Sequence, residues 1–151
     1  PQQPLRVIVD SNLRTPVDGK ILNGCDKVLI FHGSEAENLS KPWPENVELC
    51  VIKQREDGLD LQAVIAELGS RKINEVHVEA GATLCGALLA SGLVDELTIY
   101  MASHLMGDTG RGLFHLPGLT KMQDRISLKI DDIRPLGNDW KITATPQKIS
   151  V

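Results

Sequence analysis

A strand pattern that ends in a glycine turn and runs directly into a helix pattern lies in the middle of the chain. The apolar residues Val76 and Val78 predict a buried strand over residues 75–79, Gly81 forms the turn, and a helix pattern begins at Ala82. Backbone N–H groups in the first turn of a helix have no partner within the helix, and the helix dipole adds to their attraction for anions. Because glycine has no Cβ, a ligand can approach its backbone closely. The segment therefore predicts a phosphate-binding turn.

Glu79 stands next to this turn in the sequence. It ends the predicted strand, so its carboxylate is expected to face the same crevice as the bound phosphate. A cofactor and the reacting groups could then meet in one place. The alternative is an ordinary strand-to-helix turn with no binding or catalytic role. Gly81 and Gly86 form neither the three-glycine dinucleotide fingerprint nor a lysine-containing phosphate loop.

A zinc site is the other chemistry that this segment suggests. His77 and Glu79 reproduce half of a zinc-deaminase signature, but the Pro-Cys-x-x-Cys half is absent from the sequence. The three cysteines, Cys25, Cys50 and Cys85, are far apart and lack the spacing of zinc ligands. We therefore predict no metal site, and the unpaired spacing of the cysteines favours a reducing compartment.

Length, composition and charge limit the classes of function. The chain has 151 residues, of which 42% are hydrophobic, so residues 1–151 are predicted to form a single domain with its own core. The net charge is −4 and the basic residues are scattered, which argues against a nucleic-acid partner. The sequence has no long apolar run and no signal-peptide pattern, so we expect no membrane partner and a cytoplasmic location.

Strand and helix patterns alternate through most of the chain. Asp60 is predicted to cap a helix whose apolar face includes Leu68 and which ends at Gly69, and a second helix begins at Ala82 and stops at Gly92. This order favours an α/β fold in which parallel strands are joined by right-handed crossovers. Apolar runs at residues 5–9, 28–31 and 97–102 predict buried strands, and further strands are predicted at residues 47–52 and 75–79.

The pattern changes near the C-terminus. Apolar residues alternate with polar ones around Leu128 and again around Ile142, and the residues at 137–139 are Gly-Asn-Asp, which is turn chemistry. An antiparallel hairpin is therefore predicted at the edge of the sheet. Residues 104–121, with four glycines and a proline, are too long for a plain connector; their apolar side chains are expected to cover the core, with His115 at the surface.

Three segments together carry a family resemblance. They are RVIVDS at residues 6–11, VEAGATL at 78–84 and GLVDEL at 92–97. The chain resembles the reductase domain of bacterial bifunctional riboflavin-biosynthesis deaminase/reductases, from about residue 5 to about residue 140. The resemblance implies a dihydrofolate reductase-like α/β fold, with a mostly parallel central sheet and an antiparallel C-terminal hairpin. It also implies reduction by NADPH of the ribosyl group of 5-amino-6-(5-phosphoribosylamino)uracil to a ribityl group.

The resemblance implies roles for individual residues as well. Ser11 matches a family position that contacts NADP, although a serine that caps a turn is the alternative. Glu79 matches the substrate-contacting carboxylate beside the nicotinamide, where it could hydrogen-bond the ribosylamine and stabilise developing positive charge. The loop whose amides would hold the pyrophosphate matches Gly81, Ala82, Thr83, Leu84, Cys85, Gly86 and Ala87.

The sequence also departs from the family pattern. The family's domain begins with a Lys-x-Ala-x-Ser-Leu-Asp-Gly strand and a Leu-Thr-x-Arg segment, and neither occurs here. We expect this chain to correspond to the C-terminal part of the reductase domain, without the deaminase domain, and to form a homo-oligomer, a dimer, through its exposed sheet edge. Two other functions stay open: a reductase of another small heterocycle such as a pterin, and a non-catalytic nucleotide-binding or assembly module.

Overall fold

The computed structural model of the chain describes residues 4–24, 26–107 and 109–147. The chain divides into two compact units, Pro1–Glu75 and Val76–Val151. The division leaves the single domain over residues 1–151 as a prediction. No helix in the described part of the chain is both long and apolar enough to cross a membrane.

The first unit is built on a parallel sheet of three strands. They are β1 (Arg6–Val9), β2 (Val28–His32) and β3 (Val47–Val51), in the spatial order β1-β2-β3. Both neighbouring pairs are parallel, and every residue of β2 is buried. A central strand covered on both faces requires the continuous apolar run that the sequence shows. The three predicted strands of this unit are therefore confirmed.

The first unit also contains a 3-10 helix (Lys20–Leu22), a short ribbon and an α-helix. The ribbon pairs β4 (Gln54–Arg55) with β5 (Gly58–Leu59), and the helix is α1 (Leu61–Ser70). Asp60 caps α1 as predicted, because its side chain accepts hydrogen bonds from backbone N–H groups in the first turn. The predicted stop at Gly69 is wrong by one residue: Gly69 lies inside the helix, which continues to Ser70, since a glycine lowers helix propensity without ending a helix.

The core of the first unit lies on both faces of β2. Alternate residues of the strand point to opposite faces, so each face has its own apolar cluster. One face packs against α1, where Phe31 is fully buried together with Leu29, Ile52, Leu59, Val64 and Leu68.

Truncating Phe31 is expected to destabilise this unit strongly. Phe31→Ala should lower the free energy of unfolding by about 3–5 kcal/mol, because it leaves a cavity under α1 that the neighbouring side chains cannot fill. Leu39→Ala is the matched control, since Leu39 is 49% exposed and its truncation should change the free energy by less than about 0.5 kcal/mol. Urea denaturation measures both, and equal effects would contradict the assigned core.

The described part of the second unit contains one α-helix, a 3-10 helix (Met122–Asp124) and an antiparallel sheet. The helix is α2 (Ala82–Ala90), and the strands are β6 (Leu97–Met101), β7 (Leu128–Leu136) and β8 (Asp139–Pro146), in the order β6-β8-β7. The predicted C-terminal hairpin is confirmed by β7 and β8, whose two-residue turn contains Gly137 at φ 65°. The positive φ explains why a glycine stands there.

Two strand predictions for this unit are wrong. Residues 75–79 do not form a strand; Val76 and Val78 are 42% and 43% exposed. Apolar alternation is not sufficient for a strand, because the backbone also needs a hydrogen-bonded neighbour, and no described strand pairs with this segment. The other error concerns β6, which was predicted to be parallel and instead pairs antiparallel with β8. An apolar run indicates burial but carries no information on direction.

Candidate functional site

Gly81 is the N-cap residue of α2, and neither its backbone conformation nor its packing requires a glycine. Its φ and ψ are −74° and 168°, an extended conformation that any residue adopts. A Cβ atom built at this position would meet no other atom within 4 Å. Glycine therefore contributes open space in front of the backbone, which is the property that a closely bound ligand requires.

The first turn of α2 presents free hydrogen-bond donors. Gly81 provides no side-chain cap, and the first bond of the helix runs from the N–H of Cys85 to the Gly81 carbonyl oxygen at 3.1 Å. The N–H groups at 82–84 have no acceptor among the described residues. In α1, by contrast, Asp60 accepts from two such groups at 3.1 and 3.3 Å. Of these two helices, α2 is the one whose N-terminus can receive an anion.

The other predicted loop residues differ in their surroundings. Cys85 is half-buried, and its Sγ lies 3.3 Å from the Ala80 carbonyl oxygen. Gly86 is buried and lies inside α2 with Ala87, so the backbone amides of these two positions belong to the helix ladder. The structure thus gives free amides to the beginning of the predicted loop. A cofactor contact at its end stays a prediction.

Glu79 does not end a strand, contrary to the expectation from the sequence. It lies in the irregular segment before the turn, and its side chain is 86% exposed. Its Oε1 is 3.3 Å from Nε2 of His77, whose side chain is also largely exposed. An exposed pair of this kind adds little to stability. The Glu79 carboxylate is therefore accessible to a substrate and is held only loosely by the protein.

Ser11 lies in the first unit, two residues after the end of β1, whereas Glu79 and the glycine turn belong to the second unit. The Ser11 carbonyl oxygen accepts the N–H of Gly33 at 3.0 Å. Its hydroxyl makes no hydrogen bond to another residue of the described ranges. A Cβ at Gly33 would overlap the carboxamide oxygen of Gln54 and lie 3.2 Å from the Ser11 carbonyl oxygen. The residues after β1, β2 and β3 thus meet around Ser11.

Gly33 and Gln54 were not among the residues predicted from the sequence. A signal was present, because Gly33 follows the buried run of β2 and Gln54 comes shortly after β3. The carboxyl ends of parallel strands share one edge of a sheet, and this edge is where α/β proteins bind ligands. Applying that rule to all three strands would have placed both residues beside Ser11.

Asp10 fixes the turn that carries Ser11. Its Oδ2 accepts hydrogen bonds from the backbone N–H and the hydroxyl of Thr15 at 2.7 and 2.6 Å. Burial raises the pKa of the Asp10 carboxyl. The hydrogen bonds that it accepts, first of all those from Thr15, together lower the pKa by more than burial raises it, so the pKa lies below its ordinary value of 3.8. The ionised carboxylate is therefore the form that holds the turn.

This arrangement predicts how stability depends on pH. A group whose pKa is lower in the folded state stabilises the protein above its unfolded pKa, and that stabilisation is lost as the pH falls through the folded value. Thr15→Val should therefore destabilise the protein at neutral pH, and its difference from the parent should shrink below pH 3.8. Thermal unfolding over pH 2–7 measures this, with the exposed Thr120→Val as control. A pH-independent difference would contradict the role of Asp10.

Comparisons with known proteins identify the family. The family described as the RibD C-terminal domain matches residues 1–142. This chain belongs to the RibD C-terminal domain family. It is 40% identical over 138 residues to the riboflavin biosynthesis protein RibD of Escherichia coli. That match covers 91% of this chain and 37% of the Escherichia coli protein. The chain is 32% identical over 148 residues to the 5-amino-6-(5-phosphoribosylamino)uracil reductase of Buchnera aphidicola. That match covers 98% of this chain and 70% of the Buchnera protein.

A solved structure agrees with the family assignment. RibD of Acinetobacter baumannii superposes with a TM-score of 0.77 at 27% identity, over 94% of this chain and 37% of that one. The dihydrofolate reductase-like α/β fold expected from the resemblance is therefore confirmed. The chain spans well under half the length of the RibD proteins that it matches.

Proposed function

We propose that this chain is the reductase part of a riboflavin-biosynthesis enzyme and uses NADPH to reduce the ribosyl group of 5-amino-6-(5-phosphoribosylamino)uracil to a ribityl group. The observation that carries the proposal is the N-terminus of α2, which has no side-chain cap and begins at Gly81, a glycine that neither backbone conformation nor packing requires. The family membership supports the reaction, because a relative that this chain covers to 70% bears the name of that reductase.

The residues of the turn suit the pyrophosphate of a nicotinamide cofactor. The free N–H groups at 82–84 and the positive end of the α2 dipole attract negative charge, and Gly81 leaves space for it. For Ser11, in the first unit, a contact with NADP is also proposed, because its hydroxyl makes no hydrogen bond to another described residue. NADPH supplies the hydride when bound; the protein's part is to bind and orient it.

Glu79 is proposed to act on the substrate. Its carboxylate lies just before the cofactor turn in the chain and is exposed, so a ribosylamine can reach it. A carboxylate there accepts a hydrogen bond from the substrate amine and stabilises the positive charge that develops near the sugar carbon during reduction. The contact with Nε2 of His77, 3.3 Å away, is exposed and holds the carboxylate only loosely, so it can turn toward a substrate.

The reaction is tested by NADPH consumption in the complete natural polypeptide that carries this sequence. We expect loss of NADPH absorbance that depends on the uracil ribosylamine. Little reaction is expected when NADH replaces NADPH, or when a dihydropterin replaces the uracil ribosylamine. Equal turnover of the dihydropterin would favour the reductase of another heterocycle. Tight NADPH binding without any turnover would favour the non-catalytic module.

A cytoplasmic homodimer is the proposed state of the protein. Within the described ranges, β1 is paired on one side only, and the same is true of β6. A strand edge with unpaired N–H and C=O groups tends to bind a strand of another chain. Sedimentation velocity of the 151-residue chain should therefore show a dimer or larger species. A monomer at all concentrations would contradict this assignment.

A further inference from the structure

The long loop between β6 and β7 touches α2 through its backbone. The N–H of His115 donates a hydrogen bond to the carbonyl oxygen of Ala82 at 2.9 Å. Residues 114–116, called the clamp segment below, cross α2 at Gly86. A Cβ atom built on Gly86 would lie 2.8 Å from the His115 carbonyl carbon and 3.0 Å from its nitrogen, and closer still to its oxygen.

Gly86 is therefore a packing glycine. Contacts this short do not occur for real Cβ atoms, and the obstacle is backbone, which cannot turn aside as a flexible side chain does. Any side chain at position 86 must push the clamp segment away from the helix. The two glycines of the predicted cofactor loop thus have different roles: Gly81 faces open space, whereas Gly86 accommodates a neighbouring loop.

The clamp segment contacts the part of α2 that carries the free donors. Ala82, which accepts the hydrogen bond from His115, is the first residue of the helix, and its own N–H is one of the free groups at 82–84. The side chains of Phe114 and Leu116 are half-buried and line a cavity of about 410 Å³ together with Leu89 of α2. The His115 side chain is exposed. The segment is thus anchored on both sides of its hydrogen bond.

From this geometry we infer that the clamp segment is a positioning element for the cofactor-binding turn. It holds the first turn of α2 through the hydrogen bond to Ala82 and the close backbone contact at Gly86, so that the free N–H groups keep one direction. A helix end without a side-chain cap frays readily, and the contact with the loop restrains this turn while it leaves the N–H groups at 82–84 available to a ligand. This inference rests on the proposed function for the binding of NADPH, but the clamp itself needs no ligand.

The test compares two helix glycines in the complete natural polypeptide. Gly86→Ala should weaken NADPH binding at least about fivefold and raise the KM for NADPH more than it lowers kcat, because the donors lose their orientation. Gly69→Ala is the matched control: Gly69 lies inside α1 and a Cβ there meets nothing within 4 Å, so binding should be unchanged. Wild-type affinity in a folded Gly86→Ala protein would overturn the inference.

Amide hydrogen exchange without cofactor separates the clamp from the proposed function. Alanine has a higher helix propensity than glycine, so propensity alone predicts slower exchange at the Cys85 amide in Gly86→Ala. The clamp predicts the opposite, exchange about tenfold faster, whereas Gly69→Ala should not accelerate exchange in α1. If NADPH fails to bind the parent protein, the proposed function fails, yet this exchange result still decides whether the clamp exists.

A second variant covers the case in which Gly86→Ala does not fold. Phe114→Ala leaves α2 intact and removes one anchor of the clamp segment. It should accelerate exchange at the Cys85 amide and weaken NADPH binding, as Gly86→Ala does, but both effects should be smaller. Unchanged exchange and unchanged affinity in this variant would overturn the inference.

Discussion

Glu79→Gln in the complete natural polypeptide is expected to lower turnover about 10²-fold while NADPH affinity stays nearly unchanged. The substitution keeps the shape of the side chain and removes its charge. If the carboxylate stabilises positive charge in the transition state, its loss acts on kcat and kcat/KM together, as for other single electrostatic groups in active sites. Stability should not change, because the Glu79 side chain is 86% exposed.

The matched control for this variant is Glu75→Gln. Glu75 is an exposed glutamate of the same irregular segment, so the change in net charge is identical. Turnover should be that of the parent. Steady-state kinetics with varied substrate and NADPH measure both variants. If Glu79→Gln keeps normal turnover, Glu79 is only an exposed residue before the turn.

Gly81→Val is expected to weaken NADPH binding at least about tenfold, which corresponds to about 1.4 kcal/mol. The valine side chain would occupy the open space in front of the N–H groups at 82–84. The fold should persist, because the backbone conformation at Gly81 suits any residue and a Cβ there meets no other atom within 4 Å. The loss of affinity would therefore come from the ligand and not from unfolding.

Gly118→Val provides the comparison for this substitution. Gly118 lies in the loop of the same unit, and a Cβ there also meets nothing within 4 Å. It is not part of the proposed cofactor turn, so NADPH affinity should be unaffected. Fluorescence titration of both variants measures the difference. Equal affinities for the Gly81→Val and parent proteins would remove the turn from the binding site.

Elements defined by local chemistry were predictable from the sequence. The hairpin of β7 and β8 follows from alternation around a Gly-Asn turn, and the cap at Asp60 follows from a side chain that reaches the next residues. The buried strand β2 follows from its apolar run. In each of these cases the residues that determine the element lie close together in the sequence.

Features that depend on distant partners were not predictable. Residues 75–79 have the composition of a strand, but a strand needs a neighbour that the pattern does not identify. The packing of Gly86 against His115 joins positions far apart in the chain, so the sequence offered only a glycine that suggested a phosphate loop. The roles of Gly81 and Gly86 separate only when the space around each is known.

The central claim is that the uncapped first turn of α2 binds the cofactor. The most direct measurement is a titration with NADPH of the complete natural polypeptide, isotope-labelled at alanine, threonine and leucine, followed by NMR of the backbone amides. We expect the resonances of Ala82, Thr83 and Leu84 to shift on saturation, while the Ala63 amide in the capped first turn of α1 stays in place. Saturable NADPH binding that leaves the amides at 82–84 unmoved would contradict the account.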